Sequence, residues 1–252
     1  MAVALHLAAG VVLVALWLRP LARLDSRRGR HQRQRLTRWW MRRLLAILRV
    51  RLEMTGVPAP EPVLVVANHI SWLDIPCLLA CLDARFVAKS EVGRWPVIGF
   101  LAGGAGTLFL DRGAGAAALA ERMRSSLAAG ERLVLFPEGT STDGRTVRPF
   151  HARLYQAAIG AGAPVQTVAI RYPRHGGLHP LVPFIEDDDF MSHLWRLLGE
   201  NGIVAQLHFG PLLASSGASR RALADRSRRE LAAALGVALL PPAGAGTIRP
   251  LS

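Results

Sequence analysis

Lysine is nearly missing from this 252-residue chain: of 31 basic residues 30 are arginine, and Lys89 is the only ammonium side chain. Cysteine is scarce too. Cys77 and Cys81 stand four apart in an apolar stretch, with no second cysteine pair and no histidine at ligand spacing. That spacing argues against a zinc site and for buried thiols in a reducing compartment, so no metal is expected. Nothing repeats internally. Carboxylates are outnumbered by basic groups, 18 to 31, for a net charge of +13.

That excess is uneven. Residues 1–53 hold 12 arginines against Asp25 and Glu53, which leaves a balance of only +3 for the other 199 residues. A nucleic-acid binder spreads its basic groups over a folded face. Here they flank the apolar run Ala2 to Leu18, so the expected partner is an anionic membrane surface and no nucleic acid. A helix of that run spans roughly 26 Å against a hydrocarbon core of ~30 Å, so it either crosses or dips into one leaflet. Arginines and Pro20 follow the run instead of a small-residue cleavage site, which reads as a retained anchor with its basic flank on the cytoplasmic side. In a bacterium this is the inner membrane. Residues 36–50 read as an interfacial helix, with Leu36, Trp39, Trp40, Leu44 and Ile47 on one stripe and Arg35, Arg38, Arg42 and Arg49 opposite.

Beyond residue 50 short apolar runs alternate with helical stretches. Strands are predicted at 62–67, 85–88, 107–110, 132–136, 165–170 and 203–209, and helices near 74–82, 94–102, 114–129, 151–160, 190–199 and 217–235. Such alternation predicts an α/β fold, a mixed, mostly parallel sheet flanked by helices, preceded by the membrane-associated helical segment. The expected division is an anchor and interfacial helix over 1–50, an α/β domain over 51–236 and a disordered tail over 237–252.

Three predicted strands end in polar groups. The run Val63-Leu64-Val65-Val66-Ala67 leads into Asn68 and His69, followed by a helix with Asp74 in the capping position and Pro76 in its first turn. On one continuous helix His69 and Asp74 would lie about 140° apart; across a strand-turn-helix junction they can meet. A second strand delivers Arg112, and a third ends in Pro137-Glu138-Gly139-Thr140. Gly103-Gly104-Ala105-Gly106 precedes a strand and opens no helix, so it is not a dinucleotide fingerprint. Convergence of three such ends on one sheet edge predicts a polar pocket beside a membrane.

These residues carry a family resemblance. Asn68, His69 and Asp74; Gly106, Phe109 and Arg112; and Phe136-Pro137-Glu138-Gly139-Thr140 reproduce, in order, three sequence blocks of the glycerophospholipid acyltransferases of the 1-acylglycerol-3-phosphate acyltransferase type. A fourth block is approximated by Val165 to Ile170, with Thr167 where a proline is expected. The chain resembles that family over roughly residues 36–210. It departs at Ser141, where the family often places an arginine against the acceptor's phosphate; Arg145 and Arg148 lie near enough in sequence to substitute.

The resemblance implies transfer of a fatty acyl group from an acyl thioester, on acyl carrier protein or coenzyme A, to the free hydroxyl of 1-acylglycerol-3-phosphate, with no cofactor. The run Glu138 to Gly144 also resembles relatives that acylate lyso-ornithine lipid, the alternative acceptor. The implied roles are His69 as general base, Asp74 as its orienter, and Lys89, Arg112 and Arg145 on an anionic headgroup. Glu138, Gly139 and Thr140 would contact the acceptor. Ser71 reads as a turn residue, since direct attack by the acceptor needs no acyl-enzyme. A non-catalytic lipid-binding protein of the same fold is the competing class, against which the complete His69–Asp74 pair argues.

Overall fold

The computed structural model describes residues 1–23, 27–110, 115–185 and 188–241. Helix α1 (Ala2–Leu13) continues through a π-helical turn, Val14–Leu18, into α2 (Arg19–Arg23), followed by the long α3 (Arg27–Ile47). The sheet domain then runs β1 (Val50–Thr55), β2 (Val63–Ala67), α4 (Asp74–Cys81), β3 (Arg85–Lys89), α5 (Ser90–Arg94), α6 (Ile98–Gly104), β4 (Leu108–Leu110), α7 (Gly115–Ala128) and β5 (Arg132–Leu135). Next come β6 (Thr146–Val147), a 3-10 turn at Ala152–Tyr155, α8 (Gln156–Ala161), β7 (Val165–Arg171) and the hairpin β8 (Pro173–Arg174) and β9 (Gly177–Leu178). The chain closes with α9 (Phe190–Leu198), β10 (Ile203–Leu213), α10 (Arg220–Leu235) and β11 (Ala238–Leu239).

Seven strands form the main sheet in the order β1-β10-β7-β2-β5-β3-β4. All neighbours pair in parallel except β10 and β7, so β1 and β10 run against the other five. This is the expected mixed, mostly parallel sheet. Its central strands are buried on both faces, which is why they read as unbroken apolar runs. The two-residue period still sorts them: Val63, Val65 and Ala67 of β2 face the core under α3, α4 and α9, while Leu64 and Val66 face the core with α7, α8 and α10.

Several expectations change. The strand β1 begins inside the interval assigned to the interfacial helix. The expected helix over 94–102 is two pieces, because Pro96 drives the preceding residue to extended backbone and Trp95 sits at φ −66°, ψ 127°. The segment 151–160 opens as a 3-10 turn before α8. Of the expected tail, Ala238 and Leu239 pair in parallel with Thr146 and Val147, and residues 242–252 lie outside the described residues.

The largest difference concerns α3. Its apolar stripe is not left open for a bilayer: Trp40, Leu44, Leu45 and Leu48 are buried in protein, and Gly10 of α1 sits so close to Trp40 that a Cβ there would approach the indole to 2.3 Å. Its arginines help to hold it down. Arg42 Nε donates to the Ala80 carbonyl at 2.9 Å, at the C-terminal end of α4, and Arg38 pairs with Asp83 at 2.5 Å. Of the stripe, Trp39 is the residue that stays exposed. By contrast the apolar helix Ala2–Leu21 is largely uncovered, with a mean hydropathy of 2.0, and is long and apolar enough to cross a membrane.

Candidate active site

Because β2, β5, β3 and β4 are parallel, their C-terminal ends open on one edge of the sheet, and the polar residues collect there. Asn68 fixes the end of β2. Its side chain donates to the Ile170 carbonyl at 3.0 Å and accepts the Ile170 N–H at 2.7 Å, which locks β2 to β7 where ladder pairing stops.

His69 and Asp74 meet as expected, with Nδ1 2.8 Å from Oδ2. Asp74 does not occupy the cap itself, which falls on Leu73. It is the first residue of α4, and its carboxylate turns back toward the strand end. Oδ2 also accepts the N–H groups of Ile70 at 2.7 Å and Ser71 at 2.9 Å, and Oδ1 accepts the Tyr172 hydroxyl at 2.7 Å. The carboxylate is fully buried, and these donors are what make such a burial tolerable. A carboxylate surrounded by donors can only accept, so Nδ1 of His69 carries the proton and Nε2 presents its lone pair. Nε2 has no hydrogen bond among the described residues, while the ring stacks on Phe136 with centroids 3.9 Å apart and planes 8° from parallel. Ser71 is buried, its hydroxyl turned to the Leu73 N–H at 3.4 Å.

Glu138 braces the same histidine from the loop that follows β5. Oε1 accepts the His69 N–H at 3.0 Å and Oε2 accepts the Arg148 N–H at 2.9 Å. Burial pushes its carboxyl above the usual range, and the two N–H groups pull the other way. The following residue, Gly139, sits at φ +73° with the His151 ring against it, so a Cβ would come within 2.8 Å of Nε2 of His151. Thr142 closes the loop by donating its N–H to the His69 carbonyl at 2.8 Å.

The other expected residues are dispersed. Lys89 is exposed at the end of β3, on the same edge of the sheet. Thr140 is exposed, and Arg112 lies outside the described residues. Arg145 points into solvent, 3.7 Å from Asp143, and does not reach His69 or Glu138. Ser141 bonds through its hydroxyl to the Phe184 carbonyl, and Phe184 in turn donates its N–H to the Ile70 carbonyl at 2.9 Å. The position where the family often holds an arginine therefore serves as a loop tie.

Sequence reasoning missed Tyr172, 98 residues from Asp74. Its hydroxyl is pushed well up by burial and stays a donor. The visible signal was its place just past β7, the strand that pairs with β2. An aromatic cluster was also missed. Trp72 donates to Nδ1 of the buried His193 at 3.0 Å and packs on Phe190, which touches Trp95; around them Trp95, Val97, Met191 and Trp195 are exposed.

A histidine with a free Nε2, oriented by a buried aspartate at the C-terminal edge of an α/β sheet, is an arrangement able to accept a proton from a bound hydroxyl. The chain belongs to the glycerophospholipid acyltransferase family: the profile described as Acyltransferase matches residues 49–171. It is 44% identical over 224 residues to a lyso-ornithine lipid O-acyltransferase of Pseudomonas aeruginosa, covering 88% of this chain and 86% of that one. It is 35% identical over 198 residues to a 1-acyl-sn-glycerol-3-phosphate acyltransferase of Neisseria meningitidis, covering 76% of this chain and 77% of that one. The crystal structure of the 1-acyl-sn-glycerophosphate acyltransferase PlsC from Thermotoga maritima shares the fold, with a TM-score of 0.65 at 19% identity over 92% of this chain and 94% of that one.

Proposed function

We propose that this acyltransferase is membrane-bound and acylates the free hydroxyl of lyso-ornithine lipid, using an acyl thioester as donor and His69 as general base. Nε2 of His69 takes the proton as the acceptor oxygen attacks the thioester carbonyl, and returns it to the departing thiolate. A neutral imidazole is the side chain suited to that exchange near neutral pH. Asp74 holds the ring in the required tautomer and balances the imidazolium charge as it forms. Glu138 keeps the backbone of His69 in place.

The observation that carries the choice of acceptor is Ser141. A phosphomonoester headgroup calls for a bidentate cation beside it. Here that position is a hydroxyl bonded to Phe184, and the nearby Arg145 is turned to Asp143 in solvent. The 44% identity to a protein named for lyso-ornithine lipid acts in the same direction. The second reading, 1-acylglycerol-3-phosphate as acceptor, is favoured by the complete Gly106, Phe109 and Arg112 block and by the Neisseria relative. Membrane attachment is supported by the uncovered apolar helix Ala2–Leu21 and by the exposed Trp95, Val97, Met191 and Trp195 near the site.

Membrane fractions offered each lysolipid separately with one acyl thioester decide the acceptor. The expected result is a higher kcat/KM for lyso-ornithine lipid; a higher value for 1-acylglycerol-3-phosphate would reverse the assignment.

A further inference from the structure

Beside the catalytic loop, on the α10 side of the sheet, lies a groove of about 390 Å³ lined by Phe150, His151, Ala152, Arg153, Arg220 and Arg221. It is joined to the site covalently and by contact. The His151 N–H donates to the Pro137 carbonyl at 2.9 Å, and the His151 ring lies against Gly139, next to the glutamate that braces His69.

The groove is strongly basic. Arg153, Arg220 and Arg221 are exposed, and none lies within 4 Å of a carboxylate among the described residues. Some arginines elsewhere in the protein do have such partners: Arg38 has Asp83, Arg85 has Glu131, Arg132 has Glu61 and Arg174 has Glu200. Three unneutralised guanidinium groups around one concavity repel each other until an anion enters. Arg220 and Arg221 also open the 16-residue α10, whose N-terminal amides add positive potential at the same spot. Planar arginine forks match phosphate, and Phe150 leaves an aromatic wall.

Location separates the two substrates. A lysolipid acceptor reaches the edge of the sheet from the bilayer, and the exposed aromatic and apolar side chains lie with α9 and the α5–α6 junction, across the sheet from α10. Among the described residues the lining of the basic groove carries one large apolar side chain, Phe150. We infer that the groove of Arg153, Arg220 and Arg221 binds the phosphate of the phosphopantetheine thioester donor, so that donor and acceptor reach His69 from opposite faces of the sheet. This rests on the thioester reading above, and coenzyme A and acyl carrier protein both present that phosphate.

The test compares the full-length protein with Arg220→Ala/Arg221→Ala and with Arg153→Ala, all at exposed positions. Acylation is measured with acyl-coenzyme A and acyl carrier protein thioesters in separate arms. Free coenzyme A and holo acyl carrier protein are titrated onto each protein by calorimetry. A charge-assisted contact to phosphate predicts about a tenfold or greater rise in donor KM and in the dissociation constant, with acceptor KM unmoved. Lysine at the same positions should restore part of the loss. An effect confined to one arm identifies the donor's carrier. Unchanged donor KM and unchanged binding in both arms, or a rise in acceptor KM alone, overturns the inference. A protein that binds the phosphopantetheine probes through these arginines yet acylates neither lysolipid would retain the groove assignment and refute the acceptor reading instead.

Discussion

At the scale of single residues, the site is a set of hydrogen bonds around one buried carboxylate, and each can be removed separately. His69→Ala deletes the base and is expected to lower kcat by about 10² to 10⁴. Asp74→Asn removes the acceptor that fixes the tautomer and turns an amide donor against the N–H groups of Ile70 and Ser71 or the Tyr172 hydroxyl; it should cost activity and stability together. Steady-state rates with a thermal melt on each variant check both, and full activity in His69→Ala would remove the histidine from the mechanism. Tyr172→Phe is more selective. It leaves Oδ1 of the buried Asp74 without its hydroxyl donor, a loss of about 1.5–3 kcal/mol for a hydrogen bond to a charged group. A lowered melting temperature with His69 still functional is the expected outcome, read by calorimetry and turnover on the same sample. His69, Asp74 and Glu138 were legible in the sequence because each sits next to a short apolar strand whose direction fixes where it emerges. Tyr172 was not, because its contact with Asp74 depends on β7 lying beside β2, a pairing that periodicity along the chain does not encode.

At the scale of elements, the apolar stripes were legible but not what covers them. The stripe of α3 has the form of an interfacial helix, and the same pattern serves equally well for a helix docked on α4 and α1, which is where Trp40 and Leu44 are buried. What distinguishes the two is partners far away in sequence, Asp83 and the Ala80 carbonyl. The helix α9 shows the converse. It holds His193 inside, between the Trp72 indole N–H and the Pro183 carbonyl, and burial lowers the histidine's pKa from its ordinary value. The folded protein thus keeps His193 neutral at a pH where the unfolded chain, with a pKa near 6.5, begins to bind a proton. Stability from this group is whole above about pH 6.5 and is lost as pH falls below it, by up to about 1.4 kcal/mol per pH unit. His193→Gln, which retains a donor and an acceptor, should therefore show a smaller drop in melting temperature between pH 7 and pH 5 than the parent protein. An equal drop in both would show that His193 does not carry this dependence.

At the scale of the whole molecule, alternating strands and helices announced a mostly parallel sheet, while the reversal of β1 and β10 was hidden because direction is set by connections and not by composition. The structure also changes which apolar surfaces are open to a membrane. With α3 mostly committed to the domain, the apolar surface left outside includes α1 with its π-helical turn, among it Leu16 and Trp17, together with Trp95, Val97, Met191 and Trp195. These are parts of one region: Gly104 of α6 abuts Val14, Arg19 lies over the Phe100 ring at 4.1 Å, and Trp95 contacts Phe190 at the start of α9. Exposed apolar side chains gathered in one region mark interaction or membrane sites. If that region meets the bilayer, truncating its aromatic members weakens partition without touching the site, since none of them bonds to His69, Asp74 or Glu138. Removing a large side chain from an apolar phase costs about 1.5–3 kcal/mol, or roughly tenfold to a hundredfold in partition per side chain. Trp95→Ala/Trp195→Ala should therefore sediment less with vesicles while retaining its turnover of detergent-solubilised acceptor. Unchanged sedimentation would mean that the apolar helix Ala2–Leu21 alone holds the enzyme at its lipid, and the aromatic surface on α9 would then need another partner.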